Sequence, residues 1–259
     1  DLECSTRTIA INSTGEYLLT GTTDGEIYLW EINPSGNTRR IIRVLRGHSG
    51  AITDLSFSRN GLYALSASID KTVRLWEIQS GQELHIFRGH TDAVNAISLG
   101  KNDSIMVSGG DDCSVRLWDL KKRLEIVAYH YSNDGEWVLT TPDGYYTCSP
   151  EGSSMIYYVF PNSFETFSFE QFESLFKRPD IIKARLSGDY DAGKPSPKIT
   201  QPPKIEMSDH LDMKEVLEKN YSINLSNINQ RSIQNIRVFI PTFDSHRLTK
   251  NDIHNNNRL

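Results

Sequence analysis

The sequence predicts an all-β fold of repeated four-stranded sheets, on three observations. The first is a hairpin: Ser66–Ser68 and Thr72–Trp76 alternate apolar and polar positions and are rich in β-branched and aromatic residues, and Ile69-Asp70-Lys71 between them has room only for a tight turn. The second is a spacing within it. Ser66 stands four residues before Asp70, Trp76 six after it and His48 twenty-two before it. The third is recurrence. Ser108, Asp112, Trp118 and His90 repeat all these offsets, and Thr20, Asp24 and Trp30 repeat those within the hairpin.

The spacing has a physical reason. A buried carboxylate needs donors, and a buried indole N–H needs an acceptor. An imidazole donates from one nitrogen and accepts at the other, so hydroxyl, imidazole, carboxylate and indole can satisfy one another inside a sheet. Gly47-His48 and Gly89-His90 match, as do Trp76-Glu77-Ile78 and Trp118-Asp119-Leu120; the tryptophans lie 46 and 42 residues apart. Periods of that size mark four-stranded propeller blades. On these residues the first 120 or so positions resemble the WD-repeat β-propeller family, which implies an all-β WD-repeat β-propeller over 1–160: three recognisable blades plus a degenerate closing segment.

Blade one is expected to have strands near 7–12, 17–22, 27–32 and 40–46. Asp1-Leu2 stands where the later copies carry Gly-His, so this blade lacks its histidine and its Asp24–Thr20–Trp30 set needs another partner or water. Arg39, Arg40, Arg43 and Arg46 could meet phosphate, but charges on an outer strand more simply prevent edge pairing. Blade two is complete, with strands near 51–57, 63–68, 73–78 and 83–88. Blade three is expected near 93–99, 104–109, 114–120 and 124–129. The period then breaks. Residues 131–160 still read as strands and turns, but without Gly-His or a fourth set, and as the closing piece of the propeller. Three blades and a fragment do not close a ring, so further blades are expected upstream or from another chain.

Phe164, Phe167, Phe169, Phe172, Leu175 and Phe176 are spaced for one face of a short helix, and Pro179 suits the start of a second one ending near Gly188. The reading is a helical segment over 161–188, a Pro-rich extended linker over 189–203 and an incomplete β segment over 204–259. That last part has strand-like pieces at 204–207, 222–227 and 233–240, a helical piece at 211–219 and a polar tail. Residues 136–207 carry a second resemblance, through Trp137–Tyr146, Ser149-Pro150-Glu151-Gly152, Phe176–Ile182 and Pro202–Ile205. They resemble the connector of bacterial WD-repeat proteins that bear a caspase-like peptidase domain. The pattern departs at Pro241-Thr242-Phe243-Asp244, where that family has an Asn-Gly turn.

A formal charge of −5 argues against a basic nucleic-acid or anionic-membrane surface, and no apolar run is long enough to span a bilayer. Cys4, Cys113 and Cys148 are odd in number and far apart, which favours a reducing, cytoplasmic setting. Cys113 falls in the turn position of Lys71, Cys148 has no histidine at a peptidase spacing, and the histidines form no metal-ligand pattern. No enzyme, cofactor or metal is expected within the chain. Function is expected on the surface beside the hairpin turns, with other proteins as partners and no nucleic acid or membrane. There the family resemblance implies Thr23, Ile69, Asp111, Ala51, Thr53, Ala93 and Asn95 as contact residues.

Overall fold

The computed structural model describes residues 5–32, 39–159, 166–168, 172–197 and 237–239. Twelve strands fill the region of the three repeats. Sheet one is β1 (Thr6–Ile11), β2 (Tyr17–Thr22), β3 (Ile27–Ile32) and β4 (Arg39–Leu45). Sheet two is β5 (Ile52–Phe57), β6 (Tyr63–Ser68), β7 (Thr72–Glu77) and β8 (Glu83–Arg88). Sheet three begins with β9 (Val94–Leu99), β10 (Ile105–Gly110), β11 (Ser114–Asp119) and β12 (Leu124–Tyr131). Each is an antiparallel meander in chain order, and their bounds fall within one or two residues of those expected.

The hairpin between the second and third strands is built alike three times. Gly25, Lys71 and Cys113 each take positive φ, at 85°, 72° and 56°, one residue after the aspartate. The Gly25 and Lys71 amides donate to the carbonyls of Thr22 and Ser68, three residues back. This is a type I turn followed by a left-handed residue, which suits the twist of a three-residue hairpin. The sheets stack face to face. Leu19, Ile27 and Leu29 of sheet one pack on Leu55, Ala64 and Trp76 of sheet two. Leu65, Val73 and Leu75 then pack on Ile97, Met106 and Trp118 of sheet three.

Residues 131–159 form strands and turns, and those up to Cys148 lie on the outer edge of sheet three. β13 (Trp137–Thr140) pairs with β12, and β14 (Tyr146–Cys148) with β13, extending that sheet to six strands. The aromatic run differs from the expected helix. Thr166–Ser168 is a strand (β16) paired with β15 (Tyr157–Val159), and the helix α1 covers only Glu173–Phe176. Phe167 suits a strand as well as one face of a helix, and strand pairing wins there; Phe164 and Phe169 lie outside the described residues. Helix α2 (Pro179–Leu186) starts on its proline and is followed by Gly188 at φ 99°.

Residues 189–197 are not an extended linker. They fold back as a strap: the Tyr190 hydroxyl donates to Asp119 Oδ2 at 2.9 Å, and the Tyr145 hydroxyl donates to the Gly193 carbonyl. Strap and helices bury Ile126, Tyr145, Tyr146, Phe176, Ile181 and Ile182 in a third core on the far side of sheet three. Of the region beyond 197, only Arg237–Phe239 is described, as β17 paired with β15. The pieces expected at 204–207, 211–219 and 222–227 lie outside the described residues.

Candidate interaction surface

The repeated polar groups come together as the spacing requires in sheets two and three. In sheet two, His48 Nδ1 is 2.8 Å from Asp70 Oδ2 and Nε2 is 2.7 Å from Ser66 Oγ. Trp76 Nε1 donates to the same hydroxyl at 2.8 Å. An ionised carboxylate only accepts, so Nδ1 carries the proton and Nε2 accepts from Ser66. Sheet three repeats this: His90 Nδ1 lies 3.0 Å from both Asp112 oxygens and Nε2 2.7 Å from Ser108 Oγ, which accepts from Trp118 at 2.9 Å.

The carboxylates are further held by the Ser49 and Thr72 amides and the Thr72 hydroxyl on Asp70, and by the equivalent Thr91 and Ser114 groups on Asp112. Burial opposes their charge, but hydrogen bonds from His48 and Thr72, and from His90 and Ser114, outweigh it. Both carboxyls are held well below their usual range.

Hydroxyl, imidazole and carboxylate stand here in the order of a hydrolytic triad. Their surroundings remove the chemistry. Ser66 and Ser108 are fully buried, and each hydroxyl already accepts an indole N–H while donating to its histidine. The groups are saturated and out of reach of substrate.

A buttress missed by the sequence reading repeats beside each set. Arg74 pairs with Glu83, and Arg116 with Glu125 at 2.8 Å. The glycine of each Gly-His makes room for it: a Cβ on Gly47 would lie 2.5 Å from Arg74 Nη1, and one on Gly89 2.7 Å from Glu125 Oε2. The signal was present, as an arginine four residues after each aspartate and a glutamate thirteen after.

Sheet one departs from this pattern. Thr20 Oγ1 accepts from Trp30 Nε1 at 2.9 Å, but Asp24 does not join them; it is exposed, with Thr23 Oγ1 at 3.4 Å. The expected partner for the full set is absent among the described residues. Three of the four arginines of the outer strand are engaged within the protein: Arg40 with Glu31, Arg46 with Glu26 and Arg43 on the Gln79 carbonyl.

The three hairpin turns share one end of the molecule. A Cβ on Gly25 would lie 2.8 Å from the His48 carbonyl, and Lys71 Nζ donates to the Thr91 carbonyl at 2.7 Å, so the first two turns rest on the loops entering the next sheets. Among the expected contact residues, Thr23, Asn95 and Asp111 are exposed there, and Ile69 is 43% exposed. Asn95 Nδ2 donates to Asp111 Oδ1. Ala51 and Thr53 are half-buried, and the Thr53 hydroxyl donates to the Val94 carbonyl. Ala93 is corrected: it is 7% exposed, so its methyl is not on this surface, and its carbonyl is used by the Asp111 amide.

Cys113 is exposed in its turn, without a histidine partner, and burial pushes the Cys148 thiol up, away from a reactive thiolate. No group of three or more potential metal ligands occurs among the described residues. No helix among them is long and apolar enough to cross a membrane.

Comparison with known proteins agrees with the repeat. Residues 3–31, 39–77 and 81–119 match the family description "WD domain, G-beta repeat", and these matches do not reach 136–207. The periodic tryptophan protein 2 homolog of Schizosaccharomyces pombe is 38% identical over 73 residues, 28% of this chain and 8% of that protein. Small ribosomal subunit protein RACK1 of the same yeast is 41% identical over 71 residues, 27% of this chain and 23% of that protein. The retinoblastoma-binding protein 5 homolog of Drosophila melanogaster is 36% identical over 78 residues, 30% and 15% of the two chains. The chain thus spans less than a quarter of the length of each of these relatives.

Proposed function

We propose, from the premise of three WD repeats, that this chain is a non-catalytic protein-interaction scaffold whose contact surface is the end bearing the hairpin turns. One observation carries the reading. In sheets two and three the hydroxyl, imidazole, carboxylate and indole of each set bond to one another in the interior, while Thr23, Ile69, Asn95 and Asp111 stand exposed beside that rigid frame. The names of the relatives, a ribosomal subunit protein and a retinoblastoma-binding protein homolog among them, favour binding to other macromolecules over catalysis. The test is a triple variant, Thr23→Arg, Ile69→Arg and Asn95→Arg. Pull-downs with it lose the proteins that the parent retains while the melting temperature stays unchanged. Equal retention by variant and parent rejects the surface.

The scaffold needs a further blade. Ile9 and Ile11 are 67% and 59% exposed on sheet one. The indole of that sheet, Trp30, is only half-buried, whereas Trp76 and Trp118 are covered by the preceding sheet. A four-stranded sheet from the same polypeptide or another chain fits this face. The finer alternative, a recruiting region for a caspase-like peptidase, rests on the motif order in 136–207. In the fold those motifs have packing roles: Asp143 pairs with Arg185, and Pro179 opens α2. The reading frame downstream of Leu259 decides it, a histidine- and cysteine-bearing domain favouring recruitment and its absence rejecting it.

A further inference from the structure

A cleft of about 660 Å³ lies on the outer side of the molecule, between sheets two and three. Its apolar lining includes the half-buried Ile86 and Leu124, above the buried Phe87 and Trp118. One wall is four successive residues of β8, His85 to Arg88, and the facing wall runs from Arg123 into the start of β12 at Ile126. Successive side chains of a strand point to opposite faces. A wall made of consecutive residues is therefore a strand edge rather than a strand face. Among the described residues both edges are open: β8 is the last strand of its sheet, and β13 pairs with β12 only over Ala128–Tyr131. The strap closes the third side with Arg185, Tyr190 and Lys194.

The charge of the cleft is opposite to that of the chain. Its two carboxylates are already paired, Glu125 with Arg116 and Asp143 with Arg185. Arg88 and Arg123 have no carboxylate partner among the described residues; Arg123 gives one N–H to the Leu84 carbonyl at 3.2 Å. Lys194 is held only by exposed Asp191, a pair that contributes little and can be exchanged. Against a formal charge of −5 for the whole chain, this is a local excess of cation beside apolar side chains and open backbone edges.

We propose that this cleft binds an extended acidic peptide segment, which adds along the open edge of β8, places carboxylates on Arg88 and Arg123, and lays an apolar side chain against the half-buried Leu124. Edge addition supplies main-chain hydrogen bonds, and the alternating side chains supply selectivity. Four strand residues span about 13 Å, the length of a short extended segment and far more than a compact anion covers. Guanidinium groups beside the edge favour carboxylates geometrically as well as by charge. This site is separate from the hairpin-turn surface, and either one stands without the other.

The test uses the full chain and a fluorescent, end-blocked hexapeptide alternating glutamate with valine, read by anisotropy. The proposal expects saturable binding that weakens by about tenfold or more in the double variant Arg88→Glu, Arg123→Glu, with near-UV circular dichroism unchanged. Lys194→Glu, at an exposed strap position, weakens it less and guards against a folding defect in the double variant. The same peptide N-methylated at alternate amides loses binding, and a lysine-for-glutamate peptide does not bind. The Thr23, Ile69, Asn95 triple variant binds as the parent does. The proposal is overturned by absence of saturable binding, or by equal affinity of parent and double variant. It is equally overturned if the N-methylated peptide binds unchanged, or if inorganic phosphate or a single-stranded oligonucleotide displaces the peptide at its own concentration, since either result describes a plain anion site.

Discussion

Sheets one and two carry the same hairpin, with the same turn conformation and the same hydroxyl four residues before the aspartate, yet their interiors differ. In sheet two the imidazole of His48 links the carboxylate to the hydroxyl, the Arg74–Glu83 pair stands beside them, and Trp76 is 1% exposed. In sheet one Tyr28 occupies the position of Arg74, and Ile41 faces Trp30 where Glu83 faces Trp76. Asp24 turns to solvent. The hairpin spacing alone therefore sets the turn and one indole–hydroxyl bond. The closed network needs the imidazole and a neighbouring sheet to exclude water, because a carboxylate in contact with water gains little from fixed donors.

The largest expected effect tests that difference directly. Asp70→Ala strands the Nδ1 proton of His48 and the donors of Ser49 and Thr72, and should cost about 3 kcal/mol. Asp24→Ala, at an exposed position, should stay within about 0.5 kcal/mol. Urea midpoints of the two variants measure the contrast, and equal shifts would break it.

A second comparison is by pH. His130 on β12 is buried, and burial first, then the Arg116 charge, push its pKa down from 6.5 to about 4, against the pull of Asp112. A lowered histidine pKa means that the unfolded chain binds the proton first. Its contribution is complete above pH 6.5 and is lost as pH falls toward 4, by at most about 1.4 kcal/mol per pH unit. Asp70 and Asp112 have depressed values, so their contribution is full above the ordinary 3.8 and is lost only at lower pH. Denaturant titrations from pH 7 to 4 should show a slope that His130→Phe flattens and that Asp24→Ala leaves intact.

The smallest effects sharpen the likeness of the turns. Gly25→Ala places a Cβ 2.8 Å from the His48 carbonyl at φ 85°, and should cost about 1–2 kcal/mol. Lys71→Gly relieves a side chain at φ 72° and should gain a few tenths of a kcal/mol, less than about 0.5 kcal/mol, since the Lys71 contact to Thr91 is given up. Thermal midpoints of the two variants should move in opposite directions.

Much of this was legible because repeats expose their own rules. The offsets linking Ser66, Asp70, Trp76 and His48 are fixed by register across two hairpin strands, and a second copy confirms each. The Arg–Glu buttress follows the same logic, with Arg74 and Arg116 four residues, and Glu83 and Glu125 thirteen residues, after their aspartates. The region after Tyr131 lacks a second copy. Two short strands added to an outer edge leave no periodic trace, and Phe167 suits either secondary structure. The strap reads as linker by its glycines and prolines. Its anchors, Tyr190 on Asp119 and Gly193 against Tyr145, join residues 71 and 48 positions apart, which composition does not encode. At the candidate surface the exposed turn positions were legible, and the burial of Ala93 was not, because it depends on the turn of Asp111 folding over it.

The account stands on sealed networks in sheets two and three and an open one in sheet one. Hydrogen exchange of the indole N–H groups, followed by NMR at each tryptophan, tests this most directly. The Trp76 and Trp118 protons should exchange only through global unfolding, and the Trp30 proton orders of magnitude faster. Exchange of Trp76 or Trp118 at the rate of Trp30 would contradict the account.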